Sequence, residues 1–301
     1  MTLKKYIGAA LLMTTAGLTI VSCDDIAEEN RIEVGKPEKI VVAPDTLTYE
    51  VDGETFSCIN EHRLLIEDFT GWKCVNCPTV AEYLTSQITN VYPSTLVSLH
   101  MTTNSFSAGH PDGYNCESAD TIANWINGSP IATNLGLPSV SIDNTVYEGN
   151  VFISDTKDLG NLAAKRYTEC LSDTESPILG INSHKVGDDK YEINVLLVDF
   201  GPVNARTLYS VHVWLIEEGL ISRMQQSHSG YIRNYENHGI LRQIVKGGHE
   251  GNLVQINEQK AVLKCTLDIA GKGYKAENCR VVAFVTPDYG IKVLNTTEVA
   301  L

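Results

Sequence analysis

Two cysteines three residues apart, Cys74 and Cys77, sit in the stretch Gly71-Trp72-Lys73-Cys74-Val75-Asn76-Cys77-Pro78. Such a pair can exchange disulfides, supply half of a zinc site, or act as a permanent staple. Zinc needs four ligands, and neither a second CxxC nor a suitably spaced histidine pair accompanies this one. We therefore expect no metal and no cofactor. Pro78 is tolerated only in the first turn of a helix, which sets a helix start beside Cys77. The free N–H groups of that turn and the adjacent Lys73 both favour a thiolate. On this reading Cys74, the residue nearer solvent, is the nucleophile and Cys77 resolves the mixed disulfide.

The elements that must position the pair are legible from hydrophobic period. "RLLIEDF" reads as a buried strand, and "CPTVAEYLTSQITNVY" as a helix with Val80, Leu84 and Ile88 on one face. "STLVSLHMT" gives a second strand and "ESADTIANWI" a second helix. "LPSVSID" and "TVYEG" give two more strands, and "DLGNLAAKRYTECL" a closing helix. This alternation marks an α/β unit over 58–175. From 176 to 301 the period becomes two, in "YEINVLLVDF", "LYSVHVWLIEE", "AVLKCTLDIA", "CRVVAFVTP" and "IKVLNTT", which predicts an all-β, immunoglobulin-like sandwich. Residues 23–57 read as an acidic tether with one short strand at "LTYEV".

"LLIEDFTGWKCVNCPTVAEYL" resembles the strand–CxxC–helix of thioredoxin-like proteins. The resemblance implies that Asp68 is the buried acid moving the proton of Cys77. It also maps the cis-proline facing the dithiol onto Pro138 in "GLPSVSID". Trp72 departs from the pattern by standing one residue away from Cys74. Together with "NHGILRQIV" and "VTPDYGIKVLNTTEVAL", the chain resembles the outer-membrane lipoprotein family of Bacteroidota named for a twenty-eight-kilodalton outer-membrane protein. That resemblance implies a thioredoxin-like domain followed by a β-sandwich, and little about chemistry.

Lys4, Lys5 and the apolar run from Ile7 to Val21 read as a secretory signal peptide over 1–22. The ending Ile20-Val21-Ser22-Cys23 resembles a lipobox, which implies cleavage before Cys23 and its acylation. Removing Lys4 and Lys5 takes the formal net charge from −14 to −16, which argues against a nucleic-acid partner. Membrane attachment therefore falls to the lipid. "DDIAEEN" directly after Cys23 resembles a surface-export signal and points to the outside of the outer membrane, with a periplasm-facing anchor as the alternative. With Cys23 acylated, an odd number of cysteines remains. Cys265 and Cys279 flank a turn-rich segment and are expected to form a cross-strand disulfide. Cys58 with Cys116 is a second candidate pair, and Cys170 reads as core.

The polar stretch 222–252 is long for a connection. It carries Tyr231, Arg233, Tyr235 and Arg242, residue types favoured at interfaces, so it is a candidate binding loop. A loop packed onto its own domain is the alternative. Two functions follow: thiol–disulfide exchange with protein thiols or disulfides, or surface binding by a non-catalytic lipoprotein with Cys74–Cys77 as a staple. For the anchor, mass spectrometry of the mature protein is expected to find an acylated Cys23 at the N-terminus. An unmodified Cys23 in the native host overturns that expectation.

Overall fold

Among the described residues, alternating β-branched and aromatic residues make more strand than helix, and three amphipathic segments make the α-helices. A computed structural model describes residues 46–173, 176–199, 208–256, 259–288 and 290–301. The expected signal peptide, Cys23 and the acidic run after it lie outside the described residues. Among the described residues no helix is long and apolar enough to cross a membrane.

The first half contributes strands β1 (Thr46–Val51), β2 (Glu54–Ile59), β3 (Leu64–Thr70), β4 (Ser94–His100) and β5 (Ser139–Ile142). Its helices are α1 (Cys77–Tyr83), α2 (Glu117–Asn127) and α3 (Thr156–Leu171). A wider π turn, Leu84–Thr89, prolongs α1. Asp155 caps α3 by accepting from the N–H groups of Lys157 and Asp158.

The second half contributes β6 (Ile178–Gly187), β7 (Lys190–Val198), β8 (Leu208–Glu217), β9 (Leu220–Ser222), β10 (Gln225–Ser227) and β11 (Gly230–Ile232). It continues with β12 (Tyr235–Asn237), β13 (Ile240–Lys246), β14 (Asn252–Gln255), β15 (Lys260–Asp268), β16 (Cys279–Pro287) and β17 (Asn295–Ala300).

Two large sheets result. A five-stranded sheet has the order β1-β2-β6-β7-β15. An eight-stranded mixed sheet runs β17-β16-β8-β13-β4-β3-β5, with β14 paired to β8 beyond the end of β13. The period of two divides the side chains of β8 and β16 between two cores. Val211, Val213, Leu215, Val281 and Ala283 face the five-stranded sheet and form a sandwich core with Ile193, Val195 and Leu267. Trp214, Ile216, Val282 and Phe284 point the other way and pack with Leu65, Phe69, Val97, Leu99 and helix α2. A third core places Leu64, Ile66, Val140 and Ile142 against α1 and α3.

The boundary expected at 175/176 separates α3 from β6, but both sides of it supply strands to one sheet. The described residues fall within a single compact unit, Lys39–Leu301. The joint lies between β4 and β13, where Ser98 N donates to the Gly239 carbonyl at 2.7 Å and Ser98 Oγ to the His238 carbonyl at 2.7 Å. Gly239 has φ +61°, and a Cβ there would lie 2.3 Å from the Leu96 carbonyl oxygen. A chain of ion pairs, Arg63–Glu298–Arg280–Glu218, crosses the same joint, and Glu218 also accepts from Gly239 N at 2.9 Å.

Several expectations are corrected. Residues 46–51 and 54–59, assigned largely to the tether, form a hairpin on the five-stranded sheet, because Leu47, Tyr49, Val51 and Phe56 alternate to one face. "TVYEG" forms no ladder; the chain leaves the sheet at Asp143 and Asn144, both at positive φ. The last strand starts at Asn295, not at Ile291. Cys265 and Cys279 are free, buried thiols, because β15 and β16 belong to opposite sheets and the segment between them crosses over. Cys58 and Cys116 are also free, buried in separate cores. Cys170 packs in the third core as expected.

The joint has a direct test. Gly271 also has positive φ, but nothing lies within 4 Å of its missing Cβ. Gly271→Ala is expected to cost about 1 kcal/mol, the left-handed strain alone. Gly239→Ala adds a backbone collision and is expected to cost about 3 kcal/mol. Denaturant unfolding of the two variants measures the difference, and equal costs would show that the β4–β13 approach is not tight.

Candidate functional site

Strand β3 ends at Thr70 and the chain turns through Gly71–Asn76 into α1, with Pro78 in its first turn. Cys74 N donates to the Gly71 carbonyl at 3.0 Å, closing that turn. Cys74 and Cys77 form a disulfide with an S–S distance of 2.08 Å. The loop is held on one side by residues 104–108. Lys73 N donates to the Phe106 carbonyl at 2.9 Å, and Trp72 Nε1 to the Ala108 carbonyl at 3.3 Å. Only glycine fits at position 71, since a Cβ would lie 2.4 Å from the Phe106 carbonyl oxygen. The Lys73 ammonium sits 4.8 Å above the Trp72 ring.

The other side is covered by the long polar stretch, which is a hairpin arm. Its base rung pairs β9 with β12, and its tip rung pairs β10 with β11. The base is clasped to the first half: Arg223 pairs with Asp112 at 2.5 Å, and Tyr114 Oη donates to the Ile221 carbonyl at 3.0 Å. The tip lies on the CxxC loop. Gln225 Nε2 donates to the carbonyls of Gly71 (3.1 Å) and Cys74 (3.2 Å), and Gln226 N to that of Trp72 (2.8 Å). His228 Nε2 lies 2.6 Å from Asn76 Oδ1. Cys74 is consequently 2% exposed, the same as Cys77, so the expectation that Cys74 is nearer solvent does not hold. The reason is tertiary: the cover comes from residues some 150 positions downstream.

Asp68 lies on the face of β3 that α1 covers, the face it shares with Leu64 and Ile66. With Ala81 of α1, Thr85 of the π turn, Ser98, His100 and Tyr235 it lines a small cavity of about 20 Å³, room for roughly one water molecule. Asp68 Oδ1 is buried without a hydrogen-bond partner, and burial pushes the carboxyl up to about 7. His100 is held neutral, its pKa lowered to about 3 by burial and then by His110 and Arg242. The adjacent Glu67 points to the opposite face, and both its carboxylate oxygens lack partners. Burial and then the Asp143 charge push it up to about 8.

The Leu137–Pro138 peptide bond is cis. Pro138 lines a cleft of about 1010 Å³ that runs past Asn76 and Thr79 at the start of α1, with Phe152 and His228 on its other walls. The loop residues proposed for binding are dispersed. Tyr231 is 59% exposed and Arg233 is exposed, whereas Tyr235 lines the Asp68 cavity. Arg242 is turned inward, paired with Glu217 at 3.3 Å and stacked 4.6 Å over Tyr274, so it is withdrawn from any binding surface.

Among the described residues one metal-like group, His62, Asp143 and Cys170, has its donor atoms within 4.8 Å of one another. The Arg166 guanidinium already occupies it, 3.0 Å from Asp143 Oδ2 and 3.6 Å from Cys170 Sγ. A cation would have to displace it. Sequence reasoning missed Gln225 and His228 as cover and Glu67 as a second buried acid. The length of the polar connection was the available signal for the cover. Glu67 followed from nothing but the depth of its strand.

No curated protein matches the chain. Among solved structures, HBP35 of Porphyromonas gingivalis is similar with a TM-score of 0.62 and 14% identity, covering 80% of this chain and 76% of that one. This is a likeness of fold. A domain of the outer membrane lipoprotein Omp28 from Porphyromonas gingivalis is 18% identical, with a TM-score of 0.29, covering 43% of this chain and 90% of that one. The family described as outer membrane protein Omp28 matches residues 134–301, more than half of the sequence and all of the strands from β5 onward. The chain belongs to the Omp28 family of outer membrane proteins.

Proposed function

We propose that this outer-membrane protein is a lipid-anchored, surface-exposed lipoprotein whose thioredoxin-like half exchanges its Cys74–Cys77 disulfide with protein thiols. The observation that carries this reading is Asp68: a buried carboxyl without a partner at Oδ1, raised to about 7, on the face that α1 covers. A staple has no use for such a group, which costs stability whenever it ionises. An incoming thiolate attacks Cys74 Sγ, the S–S bond breaks, and its electron pair passes to Cys77 Sγ. The Asp68 carboxyl gives that thiolate its proton. In the reverse direction Asp68 takes the proton, and Cys77 attacks the mixed disulfide. The cleft beside Pro138, which reaches Asn76 and Thr79 at the start of α1, supports binding of an extended segment there. The immunoglobulin-like sandwich serves as scaffold and carries the arm.

A second reading is a non-catalytic binding lipoprotein with a structural disulfide. The 2% exposure of both cysteines favours it. Trapping separates the two. Cys77→Ser is expected to accumulate covalent protein adducts that reductant releases, whereas Cys74→Ser traps none. Equal destabilisation of both variants, by about 2 kcal/mol, with no adducts establishes the staple.

The proton role has its own check. Below about pH 4 the Asp68 carboxyl is protonated in folded and unfolded chains alike. As pH rises the unfolded chain ionises first, while the folded one holds its proton until about 7, so the folded state is penalised increasingly between those values. Asp68→Asn is therefore expected to gain stability relative to the parent from pH 4 to pH 8, by up to about 4 kcal/mol. Parallel stability–pH curves would exclude a raised Asp68.

A further inference from the structure

The loop that carries the disulfide is covered by a segment whose contacts with it are few and specific. The tip rung, Gln225–Ile232, meets the CxxC loop through the four hydrogen-bonded contacts already described, to Gly71, Trp72, Cys74 and Asn76. Three of the four accepting groups are main-chain carbonyls flanking or belonging to the redox pair. The apolar cores contain no residue of this rung. Its outer strand is exposed throughout, with Tyr231 at 59% and Ile232 at 38%. The arm's ladder is interrupted between its two rungs, at Arg223-Met224 on one side and Arg233-Asn234 on the other, and Asn234 has φ +55°. At that break Arg223 pairs with Asp112, and below it the base is fastened by Tyr114 on Ile221 and by Asn237 Nδ2 donating to Ser222 Oγ at 2.7 Å. A fixed base, a joint without ladder bonds and a tip held by hydrogen bonds form a hinged cover.

We infer that the Gln225–Ile232 hairpin tip is an autoinhibitory strap that must lift from the CxxC loop before Cys74 Sγ can be attacked. Lifting costs four hydrogen-bonded contacts and no apolar core, so it takes place without unfolding the sheets. A partner segment in extended conformation, bringing its own main-chain N–H donors, replaces those bonds at Gly71, Trp72 and Cys74. The strap thereby limits exchange to partners that bind. Its purpose rests on the exchange reading, but its existence is measured with a small reductant and does not depend on any protein partner.

The experiment follows reduction of the Cys74–Cys77 bond in the full mature chain by dithiothreitol at pH 7, with alkylation and mass spectrometry at Cys74. One dithiothreitol thiolate attacks Cys74 Sγ and releases the Cys77 thiolate. The second then displaces Cys74, leaving the reagent oxidised to its cyclic disulfide and both protein cysteines reduced. The parent is expected to reach a rate plateau as dithiothreitol rises, because strap opening becomes limiting. Gln225→Ala combined with His228→Ala should be at least tenfold faster. A chain with 225–232 replaced by a two-residue turn should lose the plateau.

Gly271→Ala, destabilised in the turn between β15 and β16 and outside the arm, serves as the control and should reduce at the parental rate. A parental rate linear in dithiothreitol and unchanged in the strap variants overturns the inference. So does equal acceleration by Gly271→Ala, which would mean that exposure comes from global unfolding. A working strap with no trapped partner in Cys77→Ser would leave the gate standing and remove only the exchange reading.

Discussion

The close approach of β4 and β13 is the constraint on which the rest of this structure depends. At Ser98 and Gly239 two sequence halves that look like separate domains become neighbouring strands of one sheet. The approach requires a residue without a Cβ at positive φ, and Gly239 supplies it. Two consequences follow. Helix α2 gains a core drawn from β3, β4, β8 and β16 together, so neither half buries its apolar surface alone. The residues just before Gly239 are carried across the end of β4 to the CxxC loop, which puts the arm over the disulfide.

Buried charge is handled in two ways. At the α3 end, Asp143 accepts from Leu65 N at 2.8 Å and from the Arg166 guanidinium at 3.2 and 3.0 Å, and His62 lies 3.3 Å away. That carboxylate is fully compensated, and breaking the pair would leave an unpaired charge in the interior. Glu67 and Asp68 are equally buried but are left with unpartnered oxygens, and both are pushed toward their neutral forms. The contrast separates a compensated carboxylate from two acids held toward neutrality by burial. Of those two, Asp68 is the one that lines a cavity under α1.

The cover over the disulfide reconciles two features that otherwise conflict. A raised, buried carboxyl, a cleft and an adjacent proline point to exchange, while a dithiol at 2% exposure points to a staple. A tip held by side-chain amide and imidazole contacts, with a firmly anchored base, lets both hold in one molecule. Stability is not uniform along a chain, and segments with few buried apolar contacts open first.

The amino-acid sequence by itself determined the local elements around the site. Pro78 set the start of α1 to the residue, and the apolar run of β3 and the spacing of Val80, Leu84 and Ile88 followed from period alone. The period change after Pro177 announced the sandwich strands. These features are legible because helices and strands are read from neighbours in the chain. Only the tertiary structure decided which strands share a sheet, and so that Cys265 and Cys279 stay apart. It also decided that a polar connection covers Cys74 and that Arg242 turns inward. Those outcomes depend on contacts between residues from 25 to 151 positions apart, and their energies depend on burial that no local pattern records.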